Sequence, residues 1–549
     1  MKRKCAFLTV FFIILMTSLF SALEVQRVEA SGTIYVRADG SVDPQTAPIS
    51  TVDNVTYVLT GNITSDADGI VVERNNTVID GAGYTVQGAG SGNGIEIASS
   101  NVTVKNLNIE EYVAGIYLLY GSNNRFSGNR ITNNGQGIDL SYSSNNTVSG
   151  NNITNNGCGV YLDVSSSHNI ISENVFVNDG LLVYNDCYGN VVVDNSVNGK
   201  PLVYLEGISH QSVDEAGQVI LVDCGYIKVE NLDLSNTTVG LQLVRTENTT
   251  VAGNNVTAND GSGISLASSS HNNISSNIIA NNGEDGIEHS DSFNNSITGN
   301  NITANGDQGI YLVQSFNNSI SRNNIMDNDE GIHLESYGLE DTCVNNSISG
   351  NNIANNGLGI LCHGSNNSIC GNNIRNKTNF GNGIYLVKSS NFNSIIQNNI
   401  TDWFVSVALQ SSCNNSIIGN NIANSYDGFR FSLGSSNNSI YHNNLVNNTE
   451  QVYSSQSGYA NLWDDGYSSG GNYWSDYNGA DANHDGIGDT PYIIDANNTD
   501  RYPLMTPYII PEFPVFLILP LFFIATLLAV AICKRKRNQE IDKPRMILP

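Results

Sequence analysis

In the stretch DANHDGIGD, Asp481, Asn483, Asp485 and Asp489 stand at alternating positions, with Gly486 available for a tight turn. The backbone carbonyl of Ile487 adds a further oxygen. Hard oxygen donors at that spacing suit calcium. The competing reading is an acidic turn. A second set of acids and rings recurs at nearly constant separations. Tyr117, Asp139 and Tyr161 belong to it, and so do Tyr311 and Tyr385. Aromatic rings such as Tyr117, Tyr161, Tyr311 and Tyr385, exposed in a row, stack on the C–H faces of sugars. Asp139 with Asp163 offers a pair of carboxylates for acid–base work on a glycosidic bond. His333, Glu335 and His363 make a small acid–base or metal cluster if the fold brings them to one face. A solvated polar face explains the same residues, because tyrosine is also a good strand former.

Positioning these groups is the task of a repeat. An Asn closes each unit at Asn129, Asn151, Asn174 and Asn195, and again at Asn254, Asn277, Asn300 and Asn323. The last four are 23 residues apart. A short, constant period indicates a solenoid. Each unit reads N-I-T-x-N, then G-I-x-L, then N-x-S-I-S-x-N. In GIYL, Ile310 and Leu312 alternate with Tyr311, the period of a strand with one inward face. Gly and Asn separate the strands and accept positive φ at corners. Three short strands and three corners predict one coil of a right-handed parallel β-helix, an all-β fold of roughly 17 coils. Leucine-rich and helical repeats lack support, because neither consensus nor 3.6 periodicity is present.

Parallel strands lie about 4.8 Å apart, so Asp139 and Asp163, one coil and two residues apart, are expected about 8 Å from each other, within the inverting-glycosidase range. Stacked coils also bring the recurrent Asn residues into line, where side-chain amides bond along a ladder.

The 549 residues carry 51 acidic and 24 basic side chains, for a net charge of −27. No basic stripe exists to neutralise phosphates, so nucleic acid is not an expected partner. Lys2-Arg3-Lys4 followed by an apolar run predicts a signal peptide over residues 1–30, with an uncleaved anchor as the alternative. Residues 515–533 are uncharged and apolar, long enough for a transmembrane helix, and the basic cluster at 534–537 keeps the 534–549 tail in the cytoplasm. The repeats are therefore expected on the outer side of the membrane. Many N-x-[ST] sequons occur there, although Asn, Ser and Thr are also the repeat's own turn and strand residues. Cys187 and Cys224 hold similar places on neighbouring coils, where a disulfide and two free thiols are both open.

Between the ends, residues 31–59 are expected to cap the N-terminal edge and 60–458 to form the coils. The unit 196–231 is enlarged by a hairpin-like excursion. Residues 459–505 form a second cap that carries the acidic loop, and its Trp463, Tyr473 and Trp474 supply bulk to plug the open end. Residues 506–514 link it to the apolar span.

The coils, the inserted VNGKPLVYLEG, the following QVILVDC and the terminal WDDGY, GGNYWSDY and DGIGDTPY resemble the NosD-like β-helix family over residues 31–505. That family is named for a protein implicated in copper supply to nitrous oxide reductase. It belongs to a wider set of carbohydrate-binding proteins and sugar hydrolases. Pro511-Glu512-Phe513-Pro514 resembles the PEF-type sorting signals of archaeal surface proteins, which implies that the span is retained or exchanged for a lipid. The acidic loop resembles the first nine residues of an EF-hand loop, with Tyr492 where the twelfth-position Glu belongs and Asp495 as a substitute.

Copper requires soft or imidazole donors. The chain has five Met and eight His, and His168 and His271 are four coils apart, about 19 Å, too far to share an ion. Copper is therefore not the expected cofactor, and calcium is. The expected function is a surface-anchored, non-catalytic β-helix that binds glycans or builds the cell envelope. A polysaccharide lyase or hydrolase on the same fold is the alternative, and a copper-handling protein the third.

Overall fold

A computed structural model describes residues 32–510, apart from 185, 339–341, 378–379 and 455–458. The expected signal peptide, PEF-like motif, transmembrane span and basic tail lie outside the described residues. Among those residues the chain is an all-β parallel solenoid of about 17 turns, without a helix. It divides into two compact units, Met1–Val344 and Asn345–Pro549.

In the first unit, Ala114–Leu119, Gln136–Ser141, Cys158–Leu162 and Leu181–Val183 pair in parallel. Ile116, Ile138, Val160 and Leu181 share one register and are fully buried. Alternation along each strand sends these side chains into one continuous core and their neighbours outward. The glycine of G-I-x-L has a role that periodicity does not show. A Cβ at Gly309 would stand 2.7 Å from the carbonyl oxygen of Gly331 on the next coil. The coils can stack this closely only because no side chain is there. Positive φ belongs instead to corner residues such as Gly299 and Asn317, with φ of 65° and 57°.

Parallel pairing begins earlier than residue 60, since Ile34–Val36 already pairs with Ile70–Val72. The antiparallel additions at this end are Val42–Asp43 and Ile49–Thr51.

Asparagine ladders run along the corners. The Asn300 backbone N–H donates to Asn323 Oδ1 at 2.9 Å, and Asn300 Nδ2 donates to the Ile274 carbonyl and to Asn323 Oδ1 at 2.9 and 3.0 Å. Asn300 Oδ1 in turn accepts from the N–H and Nδ2 of Asn277. A buried amide thus has both ends satisfied, which removes the cost of burying it.

The enlarged unit opens as a hairpin. Ser196–Val197 turns through Asn198-Gly199, both at positive φ, and pairs antiparallel with Lys200–Glu206. An Asn-Gly pair is the preferred two-residue hairpin loop. Lys200–Glu206 then starts a second parallel run through Gln218–Val222, Leu241–Val244, Ile264–Ala267, Ile287–Ser290, Gln308–Val313 and Glu330–Glu335. Cys187 and Cys224 are buried and free, without a disulfide.

The second unit stacks Leu358–Cys362, Asn382–Leu386, Val405–Gln410, Asp427–Ser432 and Glu450–Ser454. Tyr473–Trp474 extends the parallel pairing beyond residue 458. Trp463 and Trp474 are buried with ring centroids 5.8 Å apart, so both tryptophans sit in the core. Asn472 passes the ladder to Asp500, whose Oδ2 accepts from Asn472 N–H at 2.7 Å and from Trp474 Nε1 at 2.8 Å.

Candidate functional site

Strand parity turns every second residue of G-I-x-L outward. In the first unit, Glu96, Tyr117, Asp139 and Tyr161 therefore form one row on successive coils. Asp139 lies between two half-buried tyrosines and is only 7% exposed. Ser141, two residues on, is the pivot. Its hydroxyl oxygen is 3.0 Å from Asp139 Oδ1 and 3.1 Å from Asp163 Oδ2. Those two carboxyl oxygens are thus within about 6 Å of each other. Coil spacing sets about 8 Å between the two positions, and the shared hydroxyl joins one oxygen of each acid.

A hydroxyl has one proton, so it satisfies two carboxylates only if one of them carries a proton of its own. Asp139 is the one. Burial pushes its carboxyl up, the Ser141 hydrogen bond opposes this, and the charge of Asp163 adds to it, for a pKa of about 6. Burial likewise raises the phenols of Tyr117 and Tyr161, with Asp139 and Asp163 respectively adding to it.

A second row in the same unit runs Ser265, Glu288, Tyr311, His333. Glu335 follows His333 on its strand and is in register with Val313. His333 Nδ1 is 2.8 Å from Glu330 Oε2, and Nε2 is 3.2 Å from Glu335 Oε2. Burial alone would lower this imidazole, but Glu330 and Glu335 outweigh it and raise its pKa. A carboxylate oxygen thus lies close to each ring nitrogen of His333. The Tyr311 hydroxyl meets that of Tyr337 at 3.0 Å, and its ring lies 5.0 Å from His333. His363 belongs to the second unit, directly after Leu358–Cys362. In that unit Tyr385 lies in the row Leu361, Tyr385, Ala408, Arg430, Tyr453, with its hydroxyl bonded to Gln410.

Sequence reasoning missed Ser141 and Glu330. Both were in reach. Ser141 shares strand parity with Asp139, and Glu330 opens the strand that carries His333.

The acidic loop folds on itself. Asp481 accepts from the N–H groups of Asp485 and Gly486 at 3.2 and 3.0 Å, and Asp485 accepts from Ile487 N–H at 2.9 Å. Asn483 Oδ1 also faces Asp485 N–H, and Asp489 accepts from Ala482 N–H at 2.7 Å. The Tyr467 hydroxyl, 2.7 Å from Asp485, leads the causes that hold the Asp485 carboxyl below its usual range.

Comparison with known proteins adds the following. The periplasmic alginate epimerase AlgG is 15% identical over 62% of this chain and 81% of its own, with a TM-score of 0.26. The A-module of the mannuronan C-5 epimerase AlgE4 of Azotobacter vinelandii is 16% identical over 65% and 91%, with a TM-score of 0.33. An alginate lyase of Paenibacillus is 14% identical over 54% and 85%, with a TM-score of 0.18. At such values nothing about this chain follows from them. No curated protein sequence matches it. A family model described as "Right handed beta helix region" matches residues 49–197. One described as "Periplasmic copper-binding protein (NosD)" matches residues 183–353 and 339–479.

Copper requires converging soft or imidazole donors. Among the described residues no three His, Cys, Asp or Glu side chains group to hold a metal ion. His289 is fully buried in register with Leu266 and Leu312, and neither ring nitrogen has a hydrogen-bond partner. His210 stacks on Tyr226, and His168 and His271 pack edge-on to Tyr188 and Phe293. Each of these four histidines is packed against apolar or aromatic side chains. The family itself is plain from the matched length: with residues 183–479, more than half of the chain, covered by its model, this protein belongs to the NosD family of right-handed β-helix proteins.

Proposed function

We propose that this chain is a non-catalytic, saccharide-binding β-helix displayed on the outer side of the cell membrane. Its ligand is a glycan or another envelope component, and its attachment is the apolar stretch 515–533, as a single-pass helix or after exchange for a lipid. One observation carries the binding reading: Tyr117, Asp139 and Tyr161 occupy the same outward position on three consecutive coils, beside Ser141 and Asp163. Rings two coils apart, about 10 Å at the strand spacing, suit two sugars of one chain, and Ser141 with the Asp139 and Asp163 carboxyls supplies a donor and acceptors. We further infer that the loop at Asp481, Asn483, Asp485, Ile487 and Asp489 takes calcium and stabilises the terminal segment. A glycan array probed with the full-length protein tests the main reading. Binding that falls with Tyr117→Ala and Tyr161→Ala supports it, and binding that ignores both refutes it.

A hydrolase or lyase is the second reading. It is favoured by one observation, a carboxyl raised to about 6 next to another acid. Release of reducing ends or unsaturated products from the bound glycan, lost with Asp139→Asn, would establish it over the first.

A further inference from the structure

We infer that the second unit carries a separate saccharide site, built around Arg430 and selective for uncharged sugar chains. The inference takes its ligand class from the saccharide reading above but uses none of the same residues.

Arg430 faces outward between Ala408 and Tyr453. Its Nε donates to Asp427 Oδ2 at 2.6 Å, and its Nη2 contacts the same oxygen. Its Cζ lies 4.9 Å from the centre of the Phe404 ring and 5.1 Å from that of Tyr453. Tyr426 stacks on Phe404 from the next coil, at 5.1 Å and 15°. One guanidinium is therefore bordered by rings of neighbouring coils. Those rings are wet: Phe404 is 38% exposed, Tyr453 41% and Tyr426 47%. Rings this exposed beside a fixed polar donor offer apolar surface for the C–H groups of a pyranose, whose hydroxyls lie around its rim.

The charge of the site selects the class of sugar. Asp427 is fully buried and balances Arg430. Glu450 sits on the next coil in register with Asp427, so the immediate surroundings hold two acids and one base. The whole chain is at −27. An anionic sugar would meet repulsion there. Arg430 nevertheless has five N–H donors, of which Asp427 uses one edge. The guanidinium therefore serves as a positioned donor set for neutral acceptors and not as a free cation.

The experiment is calorimetric titration of the full-length protein in a non-glycosidic detergent. The probes are cellohexaose, mannohexaose and maltohexaose, with hexagalacturonate as the charged comparator. At least one uncharged hexaose should bind, with little change between about 50 and 500 mM salt. Phe404→Ala or Tyr453→Ala should each weaken it by roughly tenfold. Arg430→Gln alone strands Asp427 in the interior, so the paired Asp427→Asn/Arg430→Gln variant is used, and it should lose affinity too. Three results overturn the inference: no uncharged hexaose binds, hexagalacturonate binds more tightly than all of them, or Phe404→Ala and Tyr453→Ala bind like the unaltered protein. If Tyr117→Ala abolishes binding while these two do not, the first-unit reading stands and this one falls. The converse result upholds this site and removes that one.

Discussion

Gln218 completes the hydrogen bonding of a strand residue that lies 37 positions earlier. The Leu181 N–H donates to Gln218 Oε1 at 2.9 Å, and Gln218 Nε2 donates back to the Leu181 carbonyl at 2.7 Å. Gln242 does the same for Val183, at 3.1 and 2.8 Å. A primary amide offers the donor and acceptor that the next coil's peptide would have offered. The first run of coils ends at Leu181–Val183 and is sealed by two side chains in place of a strand. Gln218→Leu would leave a buried N–H and C=O unpaired, at a cost of about 2–4 kcal/mol. Hydrogen exchange should then speed up at Leu181–Val183 before the rest of the first unit. Unchanged protection there would mean that the amide cap is dispensable.

The ladders make a sharper test. Asn300 donates through Nδ2 and accepts through Oδ1 in one direction along the corner. Asn300→Asp keeps the acceptor but sets a carboxylate against the oxygens of Ile274 and Asn323. A loss of about 2–4 kcal/mol is expected at pH 7, read as a lower urea midpoint by circular dichroism. A midpoint equal to that of the unaltered chain would mean that the ladder contributes little.

Asp139 gives a pH dependence with a definite sign. Its folded pKa of about 6 lies above the ordinary 3.8. The folded chain therefore holds a proton that the unfolded chain has released. This contribution to stability is fully present below about 4 and is lost as pH rises through about 6. Asp139→Asn should remove that slope and be more stable at pH 7 by on the order of 2–3 kcal/mol. Parallel stability–pH curves for the two proteins would rule out the buried acid.

Calcium is checked by chelation. If the loop takes the ion, a chelator should lower the melting temperature of the terminal segment, and Asp485→Ala should abolish the difference. Identical melting with calcium and with chelator would leave Asp481 to Asp489 as a turn held by its own N–H groups.

Much of this was legible in advance, for a physical reason. A period near 23 and a parity of two fix both the coil and the outward row, so Tyr117, Asp139 and Tyr161 could be placed on one line from spacing alone. The Asn ladder followed from the same stacking. What spacing does not encode is which partners share a proton. Parity and strand bounds bring Ser141 and Glu330 into consideration, but their contacts with Asp139, Asp163 and His333 come from side-chain geometry. The amide cap was also hidden, because Gln218 has no local feature that points to Leu181. The task of Gly309 was hidden as well, because nothing in the strand pattern shows that the next coil's carbonyl must approach it.

The ladder also bears on how such a chain changes over generations. Asn254, Asn277, Asn300 and Asn323 each meet an Asn one coil away through the same pair of contacts. Excising one whole turn in frame would bring identical groups together at the splice, whereas excising half a turn would turn a core face to water. Unequal recombination between near-identical segments can therefore alter copy number without altering any joint. The number of coils is a heritable quantity that moves in whole steps, largely independent of the residues that decorate the outer face.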